Sequence, residues 1–421
     1  MAAIPDPEVV IVGAGPSGLA AAHTLLERGM EDILLLDRDD AIGGLPRFCR
    51  HLGFGIEYSG RIESGPAFVR RLRKSIESPR LRMLTQTTAI GIGAGPCIDV
   101  TGPASGPQRL RPRAVLIATG IRELPRGPRL IPGDRPQAGI LTTGLLQQMV
   151  ARGVRQPVGR MVVAGSEHVA FSAIMTARHA GGRAIAIVEP GDRIQSFALA
   201  GLLARVLFGV AIHRQTTIAE IRGRERVESV VLAGPAGART VACESVLFTG
   251  GWRPESAWLQ GSGIAIDGHT GGPAIDQMMR TTLPGVFAAG NVLRGVESSG
   301  IAALEGGRAG ACAAAYLRGS LSGIIGATRI DAGAQVHYVV PQRWASNEAE
   351  PAGAPRLRPS LRVTADHGEA RVRLCSDGET LWESAYHRVL RGRRVSVSLA
   401  SLDRRTPGNA VVELVGHEQE R

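Results

Sequence analysis

Lysine is almost missing from this chain of 421 residues: Lys74 is the only one, and arginine carries the rest of the positive charge. A formal net charge of +11 and a sequence pI near 10.5 would ordinarily point to nucleic acid. The arginines are spread along the chain, however, aromatic residues make up only 4%, and no basic–aromatic motif gathers them. The charge therefore reads as compositional bias, and nucleic acid is not an expected partner. Cysteine is scarce as well. Cys49, Cys97, Cys243, Cys312 and Cys375 lie far apart, with no C-x-x-C pair and no cluster spaced for zinc or iron–sulfur. A redox dithiol and a metal site built by this chain are thereby excluded. No run approaches the ~20 apolar residues needed to cross a bilayer. The start, Met1-Ala2-Ala3-Ile4-Pro5-Asp6, lacks a basic-then-apolar export signal. The expectation is a cytoplasmic chain without a transmembrane segment, long enough for two or three domains.

What the chain does contain is one spacing used twice. Val9-Val10-Ile11-Val12 reads as a buried strand, Pro16 to Arg28 as a helix, and Gly13-x-Gly15-x-x-Gly18 as the turn between them. In that context Gly13 permits the tight turn, Gly15 lets a pyrophosphate approach the backbone, and Gly18 lets the helix pack on the strand. The free amides and positive end of the helix then suit the phosphates. Asp37, closing the run Ile33-Leu34-Leu35-Leu36, is placed to take ribose hydroxyls. The second stretch runs Val162-Val163-Ala164-Gly165-Ser166-Glu167-His168-Val169-Ala170 and ends at Glu189. Gly13 and Asp37 lie 24 positions apart, as do Gly165 and Glu189, so Glu167 stands opposite Gly15 and Ala170 opposite Gly18.

The segment Arg280 to Asn291 (Arg-Thr-Thr-Leu-Pro-Gly-Val-Phe-Ala-Ala-Gly-Asn) resembles the second FAD motif of flavoprotein reductases. That motif ends in Gly-Asp, with the acid on the ribityl chain. Asn291 replaces the acid here, and its amide retains the capacity to bond hydroxyls. A helix expected from about Ser298-Ser299-Gly300-Ile301 would aim its amino end at the flavin pyrimidine ring. Val115-Leu116-Ile117-Ala118-Thr119-Gly120 is a strand ending in the Ala-Thr-Gly turn common to this group, and Gly43-Gly44 lies where the group wraps the flavin.

Together these residues resemble the two-dinucleotide-domain flavoproteins of the pyridine nucleotide–disulfide oxidoreductase type, over roughly Val9 to Leu317. The resemblance implies an α/β fold of two Rossmann-like three-layer domains, the NAD-type one inserted in the FAD domain. The FAD domain would take residues 1–123 and 276–325, and the NAD(P)-binding-like insert 124–275. A linker at 326–355 and a small antiparallel β domain at 356–421 would follow. FAD is the implied cofactor. Its binding residues are read as Gly13, Gly15, Pro16, Ser17, Gly18, Asp37, Arg38, Gly44, Leu45, Thr119, Gly120, Gly290, Asn291, Gly300 and Ile301.

Binding of NAD(P) by the insert is in doubt because of Glu167. A carboxylate beside a pyrophosphate near 4 Å costs on the order of 4 kcal/mol at an effective dielectric of 20, comparable to much of a micromolar binding energy. Glu167 can instead cap the following helix and take the amides meant for phosphate, a self-filled anion site. The alternatives are a tolerated substitution or a shifted nucleotide held by Glu189.

The run Cys49-Arg50-His51-Leu52-Gly53-Phe54-Gly55 resembles flavoproteins associated with anaerobic glycerol-3-phosphate dehydrogenases. It is also similar to the FAD subunits of opine oxidase, proline dehydrogenase and hydrogen cyanide synthase complexes. His51 is either a general base or a structural histidine, and Cys49 either a nucleophile or a buried apolar residue. Arg47 and Arg50 either clamp an anionic substrate or are solvated. Beyond the linker, Leu361–Ala365, Ala370–Leu374, Thr380–Ala385, Val395–Leu399 and Val411–Val415 read as strands, with Asp377-Gly378 as a hairpin turn. This module either docks a partner subunit or covers the flavin.

Three functions fit. In the first, a small polar metabolite passes a hydride to the flavin, and a partner subunit or quinone accepts the electrons. The second is an NAD(P)H-dependent reductase, and the third a relay or structural FAD subunit.

Overall fold

Strands buried on both faces read as unbroken apolar runs. Val9–Val12, Ile33–Leu36 and Ala114–Ile117 are three such runs, and Ser245–Phe248 is a fourth that opens on a hydrogen-bonded serine; every residue is buried. They are the middles of two parallel sheets in a computed structural model that describes residues 3–154, 158–196, 198–322, 327–346, 348–404 and 408–416. Among the described residues the helices are α1 Pro16–Glu27, α2 Ile56–Ser59, α3 Gly65–Lys74, α4 Thr143–Ala151, α5 His168–His179, α6 Ala198–Phe208 and α7 Ser299–Leu317. No described helix is long and apolar enough to cross a membrane.

The chain forms two compact units. The first comprises Met1–Arg47, Leu52–Ile121 and Pro254–Arg421, the second Phe48–His51 and Arg122–Arg253. In the first unit the parallel sheet runs in the order 286–288, 114–117, 9–12, 33–36, 81–84. Val9 pairs with both Ile33 and Ala114, so the glycine turn leaves from the central strand. Helix α7 lies against α1 through small residues: a Cβ on Gly306 would collide with the Ser17 carbonyl oxygen, and one on Gly310 would sit 2.7 Å from that of Ala21. This close packing fixes where the amino end of α7 arrives.

The second unit repeats the plan. Its parallel sheet runs 140–142, 245–248, 160–164, 183–188, 211–213. A three-stranded antiparallel meander, 217–222, 229–234 and 237–242, matches the meander 88–93, 97–101 and 108–110 of the first unit. Residues 254–275, read above as the end of the insert, belong to the first unit, where Leu259, Ile264 and Ile275 join its core.

The C-terminal region corrects the expected linker. Thr328–Ala332, Val336–Val340 and Arg343–Trp344 are strands. They join one sheet ordered 343–344, 328–332, 409–416, 370–376, 379–386 and another ordered 336–340, 360–363, 395–396. Pairing is antiparallel except between 328–332 and 409–416, and the core includes Trp344, Leu361, Val372, Leu374 and Val412. The Pro- and Glu-containing stretch before Ser360 is anchored as well. Buried Arg280 pairs with Asp276 at 2.6 Å and with Glu348, and buried Arg308 with Glu350 at 2.7 Å. Carboxylates that read as solvated linker charges are counter-ions to arginines in the first unit's interior. The expected boundary at 325–326 and Asn347 of the expected linker lie outside the described residues. Asp377 and Gly378 both have positive φ (52° and 79°), as a two-residue hairpin turn requires.

Candidate functional site

The first glycine turn is an open cradle. Gly13 has φ +103°, and a Cβ there would collide with the Ala118 carbonyl oxygen; a Cβ on Gly18 would collide with the Gly13 carbonyl oxygen. Around Gly15 there is space, with only Gly44 Cα, 4.0 Å away, near a Cβ position. Gly44 is held there by its neighbour, because the Gly43 amide donates to the Ala14 carbonyl at 2.8 Å. Pro16 starts α1, and no side chain caps its first turn. Ser17 is buried, and its Oγ has no hydrogen-bond partner. Gly290 comes close to it: a Cβ there would lie 2.8 Å from Ser17 Cβ. Open space above Gly15, an uncapped helix end and an orphaned hydroxyl fit the pyrophosphate of a dinucleotide.

The flanking groups are fixed by hydrogen bonds. Asp37 is half-buried, taking the Ala14 amide on Oδ2 (2.7 Å) and the Asp39 amide on Oδ1 (2.9 Å). Burial pushes its carboxyl up, and the two amides oppose that. Thr119 Oγ1 donates to the Glu255 carbonyl (2.9 Å), and the Glu255 amide donates to that of Gly120 (2.9 Å). Exposed Arg38 reaches the Glu255 carboxylate at 3.3 Å. Leu45 is exposed at the start of a short 3-10 turn. Arg47 is used internally: it donates to Asp39 at 2.8 Å and to the Ala41 carbonyl, which removes it as a substrate clamp. Arg50 is exposed.

At α7, Ser298 Oγ accepts the Ile301 amide at 3.2 Å, and Gly300 and Ile301 are buried. Glu57 was not singled out in the sequence. Its carboxylate lies against Gly300, where a Cβ would collide with it, placing an anion at the positive end of α7. No spacing signalled this contact. Asn291 also differs from expectation. Its Nδ2 donates to the Glu297 carbonyl (3.1 Å) and its Oδ1 accepts the Glu297 amide (2.8 Å), so the side chain bridges its own loop. Aspartate has no donor for the first of these bonds.

The second turn has the same backbone and a filled interior. Gly165 has φ +120°, matching Gly13. Glu167 precedes α5 but makes no capping bond, contrary to the expectation above. Its carboxylate accepts the Thr249 hydroxyl at 2.6 Å instead and lies so close to Gly250 that a Cβ there would collide with it. Thr249 is the register equivalent of Ala118 and Gly250 that of Thr119, so the side chain crosses the space that lies open over Gly15. Burial pushes the Glu167 carboxyl up, with Thr249 and the charge of Arg129 opposing. Glu189, almost fully buried, is satisfied internally as well: Ser166 Oγ donates to it, as do the Gly191 amide (2.8 Å) and Gln195 Nε2 (3.3 Å).

Cys49 does not behave as a nucleophile. Its Sγ donates to Gln147 Oε1 at 3.5 Å, and burial, with Glu123 nearby, pushes the thiol up to about 12. At neutral pH it is protonated, so the catalytic reading of Cys49 is withdrawn. His51 is half-buried two residues further on.

Comparison with known proteins matches residues 7–307 to the family described as pyridine nucleotide-disulphide oxidoreductase. Human apoptosis-inducing factor 3 is 26% identical over 305 residues, covering 68% of this chain and 45% of that protein. Thioredoxin reductase of Treponema pallidum (strain Nichols) is 26% identical over 292 residues, covering 68% of this chain and 89% of that protein. The crystal structure of T. acidophilum thioredoxin reductase superposes with a TM-score of 0.62 at 20% identity, covering 74% of this chain and 99% of that one, a likeness of fold. The chain thus spans under half the length of apoptosis-inducing factor 3, human or mouse.

Proposed function

Because the chain belongs to the pyridine nucleotide-disulphide oxidoreductase family, whose cofactor is FAD, we propose that it is an FAD-dependent dehydrogenase subunit acting on a small polar metabolite. An amine, a hydroxy acid or a polyol phosphate would serve as substrate, and a partner protein or quinone as the electron acceptor. Bound FAD would supply a two-electron acceptor for the substrate's hydride. The chain's own residues do the holding. Gly13, Gly15, Pro16, Ser17 and Gly18 receive the pyrophosphate, Asp37 the adenosine ribose, and Gly44, Leu45, Thr119, Gly120 and Gly290 line the path to the amino end of α7 at Gly300 and Ile301. His51 is the residue proposed to take the substrate proton, as a general base.

The observation that carries this reading is the Glu167–Thr249 hydrogen bond across the second cradle. With that space filled and no dithiol spacing among the five cysteines, neither a nicotinamide nor a disulfide is the natural redox partner. The test is anaerobic stopped-flow mixing of the FAD-loaded protein with NADH or NADPH. Visible flavin absorbance should persist for both, while a substrate of the proposed class bleaches it. Rapid bleaching by either nicotinamide would overturn the proposal in favour of an NAD(P)H-dependent reductase.

A further inference from the structure

The C-terminal β module has no assigned role, yet it grips one loop of the first unit. That loop runs from Gly290 to Glu297, immediately before α7. It is closed from within by the double hydrogen bond between Asn291 and the Glu297 backbone. It is held from outside by the Glu297 carboxylate, which is almost completely buried. Arg362, on the strand Ser360–Val363, donates to that carboxylate at 2.7 Å, and Arg394 approaches it at 3.5 Å. Both arginines belong to the C-terminal module. Arg362 also reaches the Val296 carbonyl (3.4 Å), and Tyr338 of the same module donates to the Gly295 carbonyl (3.3 Å).

On the inner side, fully buried Arg294 sits 3.6 Å from Glu297 and pairs with Glu305, whose Oε2 accepts the Gly290 amide at 3.2 Å. Burial raises the Glu297 pKa, but Arg294, Arg362 and Arg394 together outweigh it and hold the carboxyl below its ordinary range. An ionised carboxylate among three guanidiniums is the rigid centre of this joint, and removing one partner would leave the others buried without compensation.

We propose that the C-terminal module is a clasp for the cofactor, with Arg362 and Glu297 as positioning residues. Through Asn291 they set the loop 290–297 and the first turn of α7, and so determine how firmly FAD is retained. This rests on the reading above that Gly290 and the amino end of α7 face the flavin.

The test uses the full-length FAD-loaded protein. The double variant Glu297→Gln/Arg362→Met removes one charge of each sign and so keeps the net charge of the joint, with Arg294 still paired to Glu305 and only the partly exposed Arg394 losing its carboxylate. Its apo form should melt as the wild-type apo protein does. FAD should bind on the order of tenfold more weakly, a coupling of ordinary size, and the flavin absorption band should shift. Arg362→Lys, which keeps the charge but not the planar fork, should lie between the two. Should the double variant not fold, Arg362→Lys alone decides: weaker FAD retention in a folded protein supports the clasp, and unchanged retention overturns it.

Wild-type affinity and spectrum in a folded double variant would also overturn the proposal. A Gly15→Glu protein, measured in parallel, separates the two readings. If it loses FAD while the double variant keeps it, only the clasp fails. If it retains FAD, the site reading fails and the clasp with it.

Discussion

The two βαβ units differ where their backbones agree. Gly13 and Gly165 share a left-handed φ, and each turn runs from a central parallel strand into a helix without a side-chain cap. In the first, the space over Gly15 is open and Ser17 Oγ lacks a partner. In the second, Glu167 spans the turn to Thr249, and Glu189 is bonded to Ser166, Gly191 and Gln195. A dinucleotide site needs polar groups left unsatisfied by the protein and a space for the ligand that satisfies them. The first turn keeps both, and the second has used both internally. On the proposed function, the second unit retains the shape of a binding domain without its binding chemistry.

The largest effect should come from making the first turn resemble the second. Gly15→Glu places a carboxylate against the pyrophosphate, and by the Coulomb cost above it should weaken FAD on the order of 1,000-fold. The purified variant should be folded by circular dichroism and colourless; a yellow protein would break the comparison.

A smaller effect is expected from removing the charge in the second turn. Burial raises the Glu167 carboxyl above its unfolded value, so the folded state holds its proton more tightly. Stability from this group is then present at low pH and falls as pH rises from the unfolded value to the folded one. Glu167→Gln still accepts from Thr249 and should raise the melting temperature at neutral pH, flattening the pH dependence just above the ordinary carboxylate range. An unchanged melting profile would show that the carboxylate is not desolvated.

The smallest effect concerns Cys49. With its thiol pushed up to about 12, alkylation by iodoacetamide at neutral pH should be much slower than that of a free thiol, and Cys49→Ser should leave substrate-driven flavin reduction nearly unchanged. Fast labelling together with lost activity would restore it as a catalytic residue.

Much of this contrast was legible in the sequence, because local rules govern it. The 24-residue spacing placed Glu167 opposite Gly15, and the apolar runs located the parallel strands. Asp377-Gly378 likewise marked its hairpin. What was not legible depends on partners far along the chain. Thr249 lies 82 residues from Glu167, and nothing local shows that the carboxylate would choose it over the amides of α5. Glu348 and Glu350 read as linker charges because their arginines, Arg280 and Arg308, are far back in the chain. Asn291 read as a mild substitute for aspartate, whereas its donor hydrogen closes a loop that only the fold brings together.

The most direct test of the central claim is a calorimetric titration of NADH and NADPH into the FAD-loaded protein and its Glu167→Gly variant. The wild type should show no saturable binding below millimolar nucleotide, and the variant should gain it, since the cradle is then opened over an intact turn. Saturable micromolar binding to the wild type would contradict the account.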